Sequence, residues 1–155
     1  MFNLVLVHPD IPHNAGAAGR LALATGATLH LVRPLGFSLD DKHVRRTGLD
    51  YWHQVDLRVW ENFEDLAAAA APGAGFWFLS TKARRSPFQA AFQAGDYLVF
   101  GSETRGLPEP MVAAAGDHAL CIPMQPGGIR SLNLATAVGI VLYEALRQVA
   151  PPWLD

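Results

Sequence analysis

Short apolar runs alternate along this chain with longer alanine-rich or amphipathic stretches. Residues 2–8 (FNLVLVH) are apolar and β-branched and predict a buried strand. Residues 8–13 (HPDIPH) read as a loop, because two prolines exclude both a helix and a central strand. Asn14 opens a helix to about Thr25, with Gly26 as its C-terminal stop. Glycines at 16 and 19 weaken that helix by about 1 kcal/mol each against alanine, which implies that something approaches its backbone closely. Strands follow at Thr28–Val32, 55–60, Phe76–Leu79, Tyr97–Phe100 and 118–122. Helices are expected from Asp40 to Arg46, over 62–71 and 109–115, and from about Ser131 to Val149, with 86–94 either a short helix or irregular. Strands alternating with helices imply an α/β fold, a mostly parallel sheet with helices on both faces.

Residues 120–133 (LCIPMQPGGIRSLN) organise the end of the chain. An apolar run at Leu120, Cys121 and Ile122 ends a strand, and Pro123 and Pro126 stop further pairing. Gly127 and Gly128 let the backbone turn, and Ser131 or Asn133 can cap the helix beyond. Loops 79–82, 101–108 and 122–133 each follow a strand and can line one sheet edge, where open α/β sheets bind ligands.

Bulk properties narrow the picture. A chain of 155 residues, half of them hydrophobic, suits one domain over 1–155. A single cysteine, Cys121, read as a small buried hydrophobe, suits a reducing cytoplasm. Neither a signal peptide nor a membrane span is expected. A net charge of −2 is not the footprint of a dedicated nucleic-acid binder, but it permits local basic patches. Lys42, Arg45 and Arg46 share one helical face, either a solvated surface or a phosphate-contacting patch. Tyr51 and Trp52 follow, as core or as stacking surface. Residues 80–85 form a basic loop with Lys82, Arg84 and Arg85.

The common catalytic signatures are missing. No GxxxxGK[ST], GxSxG or HExxH occurs, and no GxGxxG follows the first strand. Six scattered histidines show no ligand spacing, so no metal is expected; His13, beside Asn14, is the one of interest. The three loops offer backbone polar groups rather than acids and bases. They suit a neutral or cationic cofactor with its own reactive centre, which the protein positions.

Three ordered motifs carry a resemblance. Asn14-Ala15-Gly16 with Arg20, then residues 100–107 (FGSETRGL), then Ile122-Pro123-Met124 with residues 131–134 (SLNL) are similar to the motifs of the SPOUT methyltransferases. Within that superfamily nearly the whole chain resembles the small TrmL/YibK type, the tRNA 2′-O-methyltransferases of the wobble nucleotide. Residues 36–51 and 143–148 also look like that type. The resemblance implies a SPOUT-type α/β knot with a C-terminal trefoil crossing, an obligate homodimer with its active site at the subunit interface, and S-adenosylmethionine as methyl donor, leaving S-adenosylhomocysteine. The acceptor would be the ribose 2′-OH of a cytidine or modified uridine in the anticodon loop, in a leucine tRNA.

By the same resemblance Leu79, Gly101, Glu103, Ile122, Met124, Ser131 and Leu132 would hold the cofactor. Arg20, Asn133 and Ser131 would carry catalysis. Lys42, Arg45, Arg46, Arg84, Arg85 and Tyr143 would contact RNA, with Lys82 beside them. The loop 125–130 is longer than is usual in the type, and no separate RNA-binding extension is expected. In the last helix Ala135, Gly139 and Leu142 are expected to form a small-residue seam at the dimer interface. A nucleotide-binding oxidoreductase on a doubly wound sheet, or a non-catalytic RNA-binding protein of the same fold, are the alternatives.

Overall fold

The structure, a computed structural model, describes residues 1–40 and 50–155. The expected helix from Asp40 to Arg46 runs outside the described residues after its first position, and Lys42, Arg45 and Arg46 lie there with it. Among the described residues six strands form one sheet: β1 (Asn3–Val7), β2 (Thr28–Val32), β3 (Leu57–Trp60), β4 (Phe76–Leu79), β5 (Tyr97–Phe100) and β6 (Ala119–Leu120). Their order is β3-β2-β1-β5-β4-β6, and all five pairings are parallel. Strand order therefore reverses beside β1, which leaves a crevice at the C-terminal edge between β1 and β5.

Alternation along β1 and β5 decides which helices cover which face. Leu4, Leu6, Leu98 and Phe100 point to one side, where α1 (Pro12–Thr25) and the last helix, α4 (Leu134–Val149), pack over them. Val5, Val7 and Val99 point to the other, under α2 (Phe63–Ala69) and α3 (Glu109–Ala115). Val138, Val141, Leu142, Ala145 and Leu146 are buried in this chain's own core. Leu142 is thus unavailable to a subunit seam, and a Cβ on Gly139 would sit 3.7 Å from Leu21 of α1. Of the three residues expected at that seam, Leu142 belongs to the core and Gly139 packs toward α1.

The element boundaries differ from expectation where long-range contacts decide them. α1 starts at Pro12 rather than Asn14, with no side-chain cap from Ile11. Proline is preorganised for a first helical turn, and the missing cap comes from a distant residue described below. Gly26 ends the helix in the left-handed region at φ 74, as expected. β6 is only two residues long, because Cys121 leaves the ladder and donates its N–H to Arg85. Cys121 is half-buried rather than buried, and burial still pushes its thiol pKa up. α4 starts at Leu134, with Asn133 and not Ser131 as its cap. Of residues 86–94, only Pro87–Gln89 form a helical turn, and it is 3-10. The close approach to α1 is made by Tyr51, whose hydroxyl donates to the Gly16 carbonyl at 2.9 Å, and by Trp52, which a Cβ on Gly19 would strike.

One buried histidine is held in a single protonation state. His30 on β2 accepts from Trp60 Nε1 at Nδ1 and donates from Nε2 to Asn3 Oδ1. Burial first, then the nearby Arg58 charge, lower its pKa from 6.5 to about 4. Below pH 6.5 the unfolded chain binds a proton that the native chain refuses, so stability falls as pH drops toward 4. Unfolding in urea across that range should show a loss of up to about 3 kcal/mol. His30→Gln should flatten the slope; an unchanged slope in that variant would assign it to other groups.

Candidate functional site

The loops after β1, β4, β5 and β6 converge at the crevice and enclose a cavity of about 470 Å³. That is within the range of small-molecule sites. Its apolar side comes from Leu79, Phe100, Leu107, Ile122, Met124 and Leu134. Backbone from Gly101 and Gly106 contributes polar edges. Residues 102–106 form a tight hairpin: Gly106 N–H donates to the Ser102 carbonyl at 2.9 Å, and Arg105 N–H donates to Ser102 Oγ at 3.0 Å. Gly106 takes φ 69, and a Cβ on Gly101 would overlap the Gly106–Leu107 backbone. Glycine at 101 is therefore a packing requirement.

A hydrogen-bonded chain of three side chains ties the loops together. Glu103 accepts from Asp10 N–H, Ile11 N–H and Asn14 Nδ2 at 2.8–3.0 Å. Its carboxylate thereby supplies the missing N-terminal cap of α1, where the helix dipole favours negative charge. Asn14 Oδ1 in turn accepts from Asn133 Nδ2 at 3.0 Å, and Asn133 Oδ1 accepts from Thr136 N–H to start α4. Thr104 adds a hydrogen bond to Asp10. Strain accompanies this ordering. His8, just after β1, sits at φ 55, and its Nδ1 is buried without a hydrogen bond.

All seven residues expected to hold a cofactor line this cavity: Leu79, Gly101, Glu103, Ile122, Met124, Ser131 and Leu132. The Glu103 carboxylate, however, is fully engaged by α1. Asn133 lines the cavity with both polar atoms committed, whereas Ser131 is exposed at its mouth. Arg20 does not line it. Its guanidinium lies 5.7 Å from the Tyr51 ring centroid, on the exposed side of α1. Arg85 is held by the carbonyls of Asp117 and Gln89 and stacks over Trp77, so its guanidinium is engaged within the chain. Arg84 is exposed and makes no ion pair among the described residues, and Tyr143 is exposed on α4. His13 is exposed on the first turn of α1. Among the described residues no group of three potential metal ligands gathers. Asn14 was legible as a helix opener and as part of the first motif, but its pairing with Asn133, 119 residues away, leaves no local signal.

Comparison with known proteins adds independent findings. Residues 1–143 match the SpoU rRNA methylase family. A protein of Methylovorus glucosotrophus named tRNA (cytidine(34)-2′-O)-methyltransferase is 48% identical over 149 residues, 96% of each chain. A solved structure described as giving insights into 2′-OH methylation of C/U34 on tRNA superposes with TM-score 0.89 at 49% identity, covering 97% of each chain. The SpoU methyltransferase AviRb from Streptomyces viridochromogenes, solved with AdoMet, superposes with TM-score 0.79 at 25% identity, over 96% of this chain and 57% of that one.

The geometry makes the Glu103 cap a stability element as well as a wall. Glu103→Ala should cost about 2 kcal/mol in urea unfolding, since it leaves two N–H groups of the α1 start unpaired. Gly101→Ala should cost about 1–3 kcal/mol through forced displacement of the hairpin. Wild-type stability in either variant would contradict the arrangement described.

Proposed function

Because the chain belongs to the SpoU rRNA methylase family, we propose that it methylates the ribose 2′-OH of nucleotide 34, the wobble position of a tRNA, with S-adenosylmethionine as donor. The observation that carries this reading is the cavity, walled by loops after β1, β4, β5 and β6, the last two glycine-bent, on the edge where the family resemblance places the donor. Its chemistry fits such a molecule. Apolar side chains and backbone polar groups suit an adenosine, and the one carboxylate present is engaged elsewhere. Bound there, the donor would supply a sulfonium methyl group, its sulfur leaving as a neutral thioether as the bond to the acceptor oxygen forms and the hydroxyl proton is released.

The protein then has to position an acceptor oxygen and manage its proton. Alignment alone is worth about 7–11 kcal/mol in favourable cases. The Glu103–Asn14–Asn133 chain fixes the loops relative to one another, so Glu103 and Asn133 act as positioning residues. Ser131, exposed at the mouth, is free to hydrogen-bond donor or ribose. Arg20 is assigned to the acceptor. Its guanidinium, with a pKa above about 12, orients rather than deprotonates the hydroxyl.

Arg20 lies outside this chain's own cavity wall, which supports a homodimer whose interface completes the site. The exposed side chains Leu23 of α1 and Tyr143 of α4 belong to that interface. The reading includes a C-terminal trefoil crossing, a single domain over 1–155, a leucine tRNA as substrate and a cytoplasmic setting. No described helix is long and apolar enough to cross a membrane. Arg84, free of ion pairs among the described residues, is a phosphate contact at the periphery, Lys82 one at the cavity mouth, and Lys42, Arg45 and Arg46 are assigned to the RNA from their shared spacing and the resemblance. Unpaired anticodon-loop nucleotides offer the 2′-OH that distinguishes RNA from DNA.

Transfer of labelled methyl to total tRNA, with the product mapped, should place the label on nucleotide 34, and a 2′-deoxy sugar there should abolish it. Label on a base, or on another nucleotide, would overturn the assignment. Arg20→Ala should abolish transfer while donor affinity survives; loss of donor affinity would instead make Arg20 structural. Light scattering at micromolar concentration should report a dimer, and a monomer would remove the shared site.

A further inference from the structure

The cavity mouth carries charge that the donor does not explain. Its lining contains three cationic side chains, Lys82, Arg105 and Arg130, against one carboxylate, Glu103. Each cation comes from a different loop, after β4, β5 and β6 respectively. All three are exposed, and none forms an ion pair among the described residues. The Glu103 carboxylate already accepts three hydrogen bonds and neutralises the start of α1 rather than the rim. A net charge of −2 for the whole chain makes this concentration local.

The arms are preorganised at their roots. In the hairpin tip, Glu103 bonds to the α1 start, Thr104 bonds to Asp10, and the Arg105 N–H is fixed by Ser102 Oγ. Of three successive polar residues, Glu103 and Thr104 are engaged, and among the described residues the Arg105 side chain has no partner. Arg130 follows the bend at Gly127 (φ 77) and precedes the Asn133 cap by three residues. It therefore stands on a short segment between that bend and the capped start of α4, and its guanidinium has no ion-pair partner among the described residues. A guanidinium rooted as Arg105 is, in a hydrogen-bonded hairpin, loses less freedom on binding than an arm on an unbonded loop.

Cations repel a sulfonium, so this rim addresses an anion. Spread over three loops at the mouth, it suits an extended polyanion better than one carboxylate held at a point. Resting on the methyltransferase reading above, we infer that Arg105 and Arg130, with Lys82 beside them, clamp the phosphodiester next to the ribose that is methylated. Guanidinium forks match phosphate oxygens in pairs. The clamp holds the sugar against the mouth and leaves Arg20 to act on the hydroxyl.

The test compares the full-length wild type with Arg105→Ala, Arg130→Ala and the double variant. The readouts are tRNA binding across a salt series, donor affinity by calorimetry, and steady-state methylation. The double variant should raise the KM for tRNA about tenfold or more. It should also lower the magnitude of the log–log salt slope by about one to two, near 0.7 per phosphate contact on a single strand. Donor affinity and the thermal melt should stay at wild-type values, and Lys at both positions should restore part of the slope. An unchanged slope and KM would overturn the clamp. Weakened donor affinity would overturn it too, by assigning the rim to the donor's carboxylate. A wild type that transfers no methyl to tRNA would instead remove the underlying reading, an outcome distinct from normal wild-type transfer with indifferent variants.

Discussion

One carboxylate sets the geometry of this molecule's working edge. Glu103 sits in a hairpin after the central strand β5 and accepts from two backbone N–H groups and one side-chain amide at the start of α1. One of them, the N-cap Ile11 N–H, is among the donors that a helix start leaves unsatisfied; the other two fasten the preceding loop and the Asn14 side chain. Asn14 passes the constraint to Asn133, and Asn133 starts α4. Three segments far apart in sequence are thereby locked in one arrangement, and the cavity is the space between them. The same economy explains why so few acids and bases line it. The polar side chains there are mostly structural, and the recognition surface is left to backbone and to unpaired cations.

The sheet supplies the platform. With every pairing parallel, all strands end on the same edge, and the reversal of order at β1 opens the crevice there. Behind it, both faces are sealed by helices, so the edge is rigidly backed. Asp96 shows how far this bracing extends: buried, it accepts from Gly75 N–H, Trp77 Nε1 and Gln93 N–H and fastens the approach to β4. Glu144 on α4, held below its ordinary pKa by hydrogen bonds from Arg147, shares Gln148 with the carbonyl of Ala90.

Much of this was legible in the chain itself. Thr28–Val32, Phe76–Leu79 and Tyr97–Phe100 were readable to the residue, because fully apolar or β-branched runs bounded by turn residues leave little ambiguity. The helix after 108 was equally clear. What escaped was whatever depended on contacts between distant residues. β6 is shorter than its apolar run because Cys121 bonds elsewhere. The start of α1 cannot be placed from its own residues, since its cap comes from Glu103. The seam on α4 reads as an interface by composition, yet Leu142 is core and Gly139 faces Leu21. Cavity-lining positions such as Leu79, Gly101 and Ile122 followed from motif order, whereas the engagement of Arg85 by two carbonyls leaves no local trace.

The pairing of Asn14 with Asn133 also bears on how such a chain comes off the ribosome. Bacterial and eukaryotic translation adds about 5–20 residues per second, N-terminus first. β1 and β2 are made early and β5 only after residue 96, yet until α4 follows, the apolar side destined for it stays uncovered and the amide of residue 14 waits for its mate. The pocket cannot exist in any nascent intermediate lacking the last helix. Maturation of this protein is therefore gated by its tail, and the uncovered leucine surface is what a trigger-type chaperone would meet meanwhile.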